Sequence, residues 1–536
     1  MGYYDDTFDT RGLASFERGE LNQFSYINQE AGFFLGSLHN DVAPGQDGHL
    51  GIEDDRHVFI IAGSRSGKGT SLLIPNLLRW PGGIFCIDPK GENAAITAMR
   101  RANLQTAQDA GSTVTKCLGQ KVAILDPLGT VKGPAKALCV DYNPFIDIDL
   151  DDHDGAAGEM ETFCEAVVMP EDGTGAHWTE SAATVLAGTI ELALHKFPRS
   201  EVSWPMIRNF VLDGLSHCDP VRETYEDEDD LDKDGKPKAK TRTRKGAFIA
   251  DLEAIETPEG LAYMAATILE AAGPDERGSI TSTLMRQLKW LNDRRMMKHL
   301  SGGGGFSLKE AVRENWSVYV CIPPAMINRF RRWLRLTVGI ALSAKTESPF
   351  DHEGPQMLFI LDEFAALGAF SQIETGASNL AGYGVKLVTV IQNIGQLQNT
   401  YRDNWETFLG NSSAIIAWGL NDAASEEYIS NRLGKVMEER ESYSHSSNMA
   451  PARGDEIGMA ASGVGSSVST GLVERMVLWP HEVREFGARE RQRAFVITPM
   501  SRSFTIRRED YHQDEGQGLF DSPKFIKAWE QAKSQT

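Results

Sequence analysis

Short, unbroken apolar runs recur along the chain, each closed by a polar or small residue. Val58-Phe-Ile-Ile-Ala62 has no polar position, the pattern of a strand covered on both faces. Gly83-Ile-Phe-Cys-Ile87 is a second such run and ends at Asp88. The helical pattern between them, from Ser71 to Trp80, makes the pair a β-α-β unit. Further buried strands are predicted at Val122–Leu125, Val318–Ile322, Met357–Leu361, Lys386–Ile391, Ala414–Trp418 and Ala494–Ile497. Strands alternating with helical segments predict an α/β fold, a mainly parallel sheet with helices on both faces.

Between about 151 and 300 this rhythm stops. Helical periodicity dominates at Glu159–Val168, Trp178–Leu194, Met206–Leu215, Leu261–Ala272 and Ser279–Leu291, which predicts an inserted helical domain. Inside it, Glu226-Asp-Glu-Asp-Asp230 runs into seven basic residues between Lys233 and Lys245. Such a block is expected as a solvated, mobile loop, with a specific DNA contact as the alternative. Ser442–Ser469, rich in Ser, Gly and Ala, is expected as another loop. Residues 1–50 are polar and Gly-rich, apart from Gly32-Phe-Phe-Leu-Gly36, and are expected as a lead-in arm.

Composition narrows the field. At 536 residues, 41% of them hydrophobic and 24% charged, the chain is long enough for two or three compact units with a sizeable core. Its net charge of −21 argues against a protein that grips duplex DNA over a broad outer surface, since such proteins carry a basic face. Any nucleic-acid contact is expected to be local, as in a ring whose pore is lined by a few basic loops. The six cysteines form no C-x-x-C pair and are expected as buried thiols in a reducing cytoplasm. The opening residues carry no signal-peptide pattern, and no stretch approaches the roughly 18 apolar residues of a membrane helix. The chain as given is therefore expected to be soluble and cytoplasmic.

The chemistry begins where the first strand ends. Residues 62–70 read Ala-Gly-Ser-Arg-Ser-Gly-Lys-Gly-Thr, close to the phosphate loop G-x-x-x-x-G-K-[ST] between a strand and a helix. Such a loop turns successive backbone N–H groups toward phosphate oxygens, with glycine where φ is positive or backbone must come close. The following helix adds its positive end. Gly63, Ser64, Arg65, Ser66, Gly67, Lys68, Gly69 and Thr70 are the predicted phosphate-binding set, with Lys68 reaching the β- and γ-phosphates of ATP. Two positions depart from the pattern. Ala62 stands where the first Gly is expected, and Gly69 where a hydroxyl would meet Mg²⁺. Thr70, one residue late and rotated by about 100° on the helix, is the substitute metal ligand, or water fills that position.

Met357-Leu-Phe-Ile-Leu-Asp-Glu-Phe364 is an apolar strand with two carboxylates at its C-terminal end, where open α/β sheets place ligands. Asp362 is expected to hold Mg²⁺ beside the phosphates, and Glu363 to orient or deprotonate the attacking water. Alternation sends adjacent side chains to opposite faces of a strand, so the two converge only if the strand ends and turns there. The strand Leu387–Ile391 ends at Gln392, either a γ-phosphate sensor or an ordinary strand-terminal polar residue.

At this point the sequence resembles the type IV secretion coupling proteins of the TraG/TraD conjugative family. The resemblance rests on Arg65-Ser-Gly-Lys-Gly69, Ile74-Pro-Asn76, Asp88-Pro-Lys-Gly-Glu92, Tyr142-Asn-Pro144, His177-Trp178 and Glu276-Arg-Gly-Ser279. It continues through Leu361-Asp-Glu-Phe364, Gly382-Tyr-Gly384, Ile391-Gln392 and Leu478-Trp-Pro480, covering roughly residues 50–515. It implies a RecA-like P-loop NTPase core with a mainly parallel sheet and an inserted all-α domain that meets substrates. The implied division is an N-terminal arm (1–50), a nucleotide-binding domain in two parts (51–150 and 311–515), the all-α domain (151–310) and a C-terminal tail (516–536). Carried over, Lys68 is the phosphate lysine, Asp362 and Glu363 the hydrolysis pair and Gln392 the sensor, with ATP and Mg²⁺ bound. Asp88, Lys90 and Glu92 lie beside the loop with no assigned role.

The resemblance further implies an ATP-driven motor that assembles as a ring, hexameric when active. It would receive a relaxase-bound DNA strand or a secreted protein and feed it into a type IV secretion channel at the cytoplasmic face of the inner membrane. A substrate receptor or scaffold NTPase for protein effectors, with no DNA pumping, is the alternative. Family members usually begin with membrane helices, so either these were removed here or a membrane-anchoring partner tethers the chain. Some members carry an arginine before the sensor strand; residues 379–386 have none, leaving Arg402 or Arg432 for that role. Asn328-Arg-Phe-Arg-Arg-Trp333 is a candidate pore surface, its aromatics stacking on bases. Its other reading is a helix with Phe330 and Trp333 packed inward and the arginines in solvent.

Overall fold

The computed structural model describes residues 32–37, 49–102, 119–169, 176–231, 234, 236–255, 260–302, 305–348, 355–448, 463–499 and 503–512. The expected arm before residue 32, the tail from 516 and Cys117 lie outside these. In chain order the first strands are β1 (Phe33–Ser37), β2 (His49–Ile52), β3 (His57–Ala62), β4 (Ile84–Ile87) and β5 (Val122–Leu125). A two-stranded ribbon follows, β6 (Val221–Leu231) with β7 (Pro237–Arg244), and then β8 (Ser317–Val320), β9 (Met357–Leu361), β10 (Val385–Ile391) and β11 (Ser412–Trp418). The last are β12 (Lys435–Asn448), β13 (Gly463–Met476), β14 (Arg493–Ile497) and β15 (Phe504–Arg507).

Eleven strands form one sheet, in the order β2-β1-β15-β14-β11-β3-β10-β9-β4-β8-β5. The seven from β11 to β5 are parallel. Their side chains alternate between two buried faces: Phe59 and Ile61 enter one apolar core, Val58, Ile60 and Ala62 the other. Burial on both faces is why these strands read as unbroken apolar runs. The other four, β14, β15, β1 and β2, pair antiparallel and extend one edge. Two expectations change here. The run at 494–497 is a strand of the sheet but antiparallel to β11. The patch at 33–36 belongs to no arm; it is a wholly buried strand of that edge.

Between β5 and β8 the described chain is mostly helical, including the helices His153–Val167, Ala176–Lys196, Trp204–Ser216, Leu261–Ala271 and Pro274–Gln287. The charged block expected as a loop forms the β6–β7 ribbon instead. Opposite charges face each other across it: Arg242 pairs in register with Glu223, its Nη2 3.0 Å from that carboxylate, and Lys238 lies 2.6 Å from Asp230. Such cross-strand pairs favour a ribbon over a mobile loop. The described parts of the Ser/Gly-rich stretch likewise lie in a ribbon, β12 with β13, while residues 449–462 fall outside the described set. In both stretches a polar composition hides a strand.

Candidate nucleotide site

The predicted site residues lie at the C-terminal ends of adjacent parallel strands. β3, β10, β9 and β4 are neighbours in that order, so the phosphate loop, Gln392, Asp362–Glu363 and Asp88 emerge side by side. Ligands of open α/β sheets collect at this edge.

The loop leaves β3 under close constraint. A Cβ on Gly63 would lie 2.1 Å from the Gly419 carbonyl oxygen beyond β11, so glycine is required at 63 although Ala62 fills the pattern's first position. Gly67 has φ +89°, a backbone that L side chains rarely adopt. The Ser66 carbonyl accepts from Arg508 Nη1 at 2.8 Å and from Trp418 Nε1 at 3.1 Å. A trans peptide sets C=O and the next N–H on opposite sides, so anchoring that oxygen outward directs the Gly67 N–H the other way. Arg489 Nη1 donates to the Arg65 carbonyl at 2.8 Å. The helix after the loop opens with a wide turn, Gly69–Leu73, and continues as Ile74–Arg79.

Lys68 Nζ lies 2.6 Å from Asp362 Oδ1 and 4.0 Å from Glu363 Oε2. Glu363 has φ +69°, and this left-handed residue is the turn that brings two consecutive carboxylates toward one lysine. Gln392 Nε2 donates to both Glu363 oxygens, at 3.0 and 2.9 Å. All four residues are therefore in one network. Asp88 is 2% exposed and accepts the Ala94 N–H at 2.8 Å near the start of the helix Glu92–Ala102. Burial pushes its carboxyl up to about 7, nearby Asp362 adds to the rise, and the backbone hydrogen bond opposes it. Lys90 and Glu92 are exposed.

Thr70, expected as the substitute metal ligand, bonds within the protein through its hydrogen. Its hydroxyl lies 2.5 Å from Asp510 Oδ1 and 3.1 Å from the Gly67 carbonyl, both acceptors, so its one hydrogen is committed there. The Tyr511 N–H donates to the Thr70 carbonyl at 2.9 Å. Arg489, Arg508 and Asp510, which no loop motif would single out, thus fasten the phosphate loop from the antiparallel edge. A Cβ at 69 would meet no heavy atom within 4 Å beyond its own helix and chain neighbours, so glycine is not required there by crowding at that atom.

The donor set suits a phosphate chain with a hard cation: loop N–H groups, one ammonium and a carboxylate. Such a cation needs few protein ligands when phosphate and water supply the rest. Elsewhere, Phe330 and Trp333 are buried, so of the two readings of 328–333 the base-stacking surface is not there. They pack inward on the helix Ile327–Thr346, as in the second reading. Its arginines are not all in solvent, however: Arg332 Nε donates to the Val167 carbonyl at 2.9 Å. Arg402 and Arg432 are exposed.

The sequence model of the family described as "Type IV secretory system Conjugative DNA transfer" matches residues 17–535. A conjugal transfer protein TraG of Escherichia coli is 25% identical over 402 residues, covering 72% of this chain and 56% of that protein. Protein VirD4 of Rhizobium radiobacter is 26% identical over 397 residues, covering 73% and 50%. The chain thus spans little more than half the length of these relatives. The plasmid coupling protein TrwB, solved in complex with ADP and Mg²⁺, shares the fold at a TM-score of 0.57 and 15% identity, covering 95% of this chain and 96% of that one. The family match takes in nearly the whole sequence, phosphate loop and carboxylate strand included, and the chain belongs to the type IV secretory system conjugative DNA transfer family.

Proposed function

We propose that the chain is an ATP-hydrolysing coupling protein that drives relaxase-bound single-stranded DNA, or protein substrates, into a type IV secretion channel. The observation that carries this reading is the network of Lys68, Asp362, Glu363 and Gln392 at the ends of β3, β9 and β10. Family membership and the conjugal transfer relative TraG support the transfer role. In this reading the N–H groups of residues 63–70 cradle the phosphates, and Lys68 exchanges a carboxylate oxygen for phosphate oxygens. Asp362 would hold Mg²⁺, which would supply positive charge beside the transferring phosphoryl group. Glu363 takes the proton of the attacking water, while Gln392 holds the Glu363 carboxylate in place. The active form is a ring, hexameric in this reading, at the cytoplasmic face of the inner membrane. Among the described residues no helix is long and apolar enough to cross a membrane, and a membrane-anchoring partner would hold the ring there.

The test is the ATPase rate alone, with single-stranded DNA and with duplex DNA. Stimulation by single strands is expected. The variant Glu363→Gln should still bind ATP but turn over slower by orders of magnitude. Turnover indifferent to DNA would instead favour a receptor for protein substrates, which the net charge of −21 also suits. No turnover under any condition would overturn the enzymatic reading.

A further inference from the structure

We infer that the helix Ile327–Thr346 links the helical insertion to the hydrolysis turn, and that Arg335 is the positioning residue at the turn end of that link. The inference rests on the reading of Glu363 given above. The turn begins directly after Glu363, with residues 364–367 tightly wound and Gly368 at φ +69°. Arg335 is 3% exposed. Its Nη1 donates to the Leu367 carbonyl at 3.2 Å and to the Ala369 carbonyl at 2.5 Å, and its guanidinium stacks on Phe370, 4.4 Å from the ring centre. Tyr401 closes the other side: its hydroxyl donates to the Gly368 carbonyl at 3.3 Å, and its ring stacks on Phe364.

A leucine at 335 would fill space without the several kcal/mol that burying a guanidinium costs when its donors are not satisfied. Here that cost is not fully offset, because Arg335 Nε is buried without a partner among the described residues. What the arginine adds is direction. It fixes two carbonyls of the segment whose first residue is left-handed Glu363, and charged donors hold such groups more firmly than neutral ones. Burial lowers its pKa to about 10, so it remains charged at neutral pH.

The second half of the link lies one turn earlier on the same helix. Residues three apart share a helix face, and Arg332 reaches into the insertion as Arg335 reaches the turn. Arg332 Nε donates to the Val167 carbonyl at 2.9 Å and to Gln287 Oε1 at 3.1 Å. Gln287, 1% exposed, also exchanges hydrogen bonds with the Met169 backbone, donating at 3.0 Å and accepting at 3.4 Å. The helix breaks at Phe330 (φ −106°, ψ 19°), and its part after that break, which carries both arginines, is thus fastened to the ends of the helices His153–Val167 and Pro274–Gln287 and to the turn after Glu363. A load that shifts the insertion would move Arg332, and with it the carbonyls that Arg335 holds.

Amide hydrogen exchange and steady-state kinetics on the full chain test this, using Arg335→Met, Arg335→Lys, Gln287→Ala and the control Glu363→Gln. Arg335→Met keeps the aliphatic volume and loses the donors. It is expected to speed exchange at 364–370 and to lower kcat by roughly tenfold to a hundredfold, with ATP affinity unchanged. Arg335→Lys should fall between it and the wild type. Gln287→Ala, whose described contacts lie in the insertion and on Arg332, should also speed exchange at 364–370. Wild-type exchange at that turn in both Arg335 variants would overturn the positioning role. Wild-type exchange there in Gln287→Ala would overturn the link. If Glu363→Gln turned over at the wild-type rate, the assignment of Glu363 would fail instead, and the exchange results would still judge the link.

Discussion

Lys68 and Asp362 hold each other at 2.6 Å, and this contact states what a bound nucleotide must change. The ammonium is balanced by carboxylates in their present arrangement; phosphate oxygens would take over part of that balance. Removing it leaves Asp362, Glu363 and the phosphates without that ammonium. Lys68→Ala is therefore expected to weaken ATP binding by about 1.5–3 kcal/mol, a factor of roughly 10 to 150. Isothermal titration with ATP checks this, and equal affinity in variant and wild type would refute the site. The Gln392 amide acts on a neighbouring atom pair. By donating to both Glu363 oxygens it sets the direction of a carboxylate whose own backbone is in the uncommon left-handed region.

Strands β3 and β10 illustrate what an element needs in order to be central. At the far end of the sheet from the site, β3 opens on His57, 4% exposed, whose Nδ1 accepts the Leu387 N–H at 3.3 Å. Lys386 beside it is buried and donates to the Arg56 carbonyl at 2.6 Å. Burial holds the His57 pKa down to about 4, and the Lys386 charge adds to the effect. The folded pKa is depressed below the ordinary 6.5, so the unfolded chain takes the proton first as pH falls. The stability this buried neutral histidine contributes is present above about 6.5 and is lost as pH falls toward 4. His57→Gln, which keeps an acceptor for Leu387, is expected to lose less stability between pH 6.5 and 4.5 than the wild type, by about 2 kcal/mol. Urea midpoints across that range measure it, and parallel loss in the two proteins would show that other groups govern acid unfolding.

At the scale of the whole molecule the net charge of −21 is the governing term. In the proposed ring, copies of the chain would repel one another, and ATP and single-stranded DNA, themselves anions, would favour assembly only by bridging subunits. The chain alone is expected to sediment as a monomer at low micromolar concentration, and ATP or single-stranded DNA should shift it to larger species. Moderate salt screens like charges and should ease nucleotide-driven assembly. A stable hexamer at low micromolar concentration without ligand, unaffected by salt, would show that apolar contacts between subunits outweigh the repulsion.

How far the sequence alone reached depends on the range of the interactions involved. Unbroken apolar runs located the parallel strands within a residue or two, because burial on both faces leaves no polar position to blur the pattern. That Lys68 and Asp362–Glu363 come together is legible for a related reason: the phosphate-loop pattern and the carboxylate-ended strand are local, with fixed spacing. The strand at Phe33–Ser37 looks like part of an arm in the sequence, because a lone apolar patch does not reveal a partner such as β15, more than 450 residues away. Both ribbons have the sequence pattern of loops, because their polar composition hides strands that pair only with each other. Only the tertiary structure could decide that Thr70 binds Asp510, that Arg508 and Arg489 anchor the phosphate loop, and that Arg335 holds the turn after Glu363. Each is a contact between side chain and backbone, or between side chains, across a long stretch of chain. Its geometry exists only after the sheet has brought the two segments together, and no local pattern encodes it.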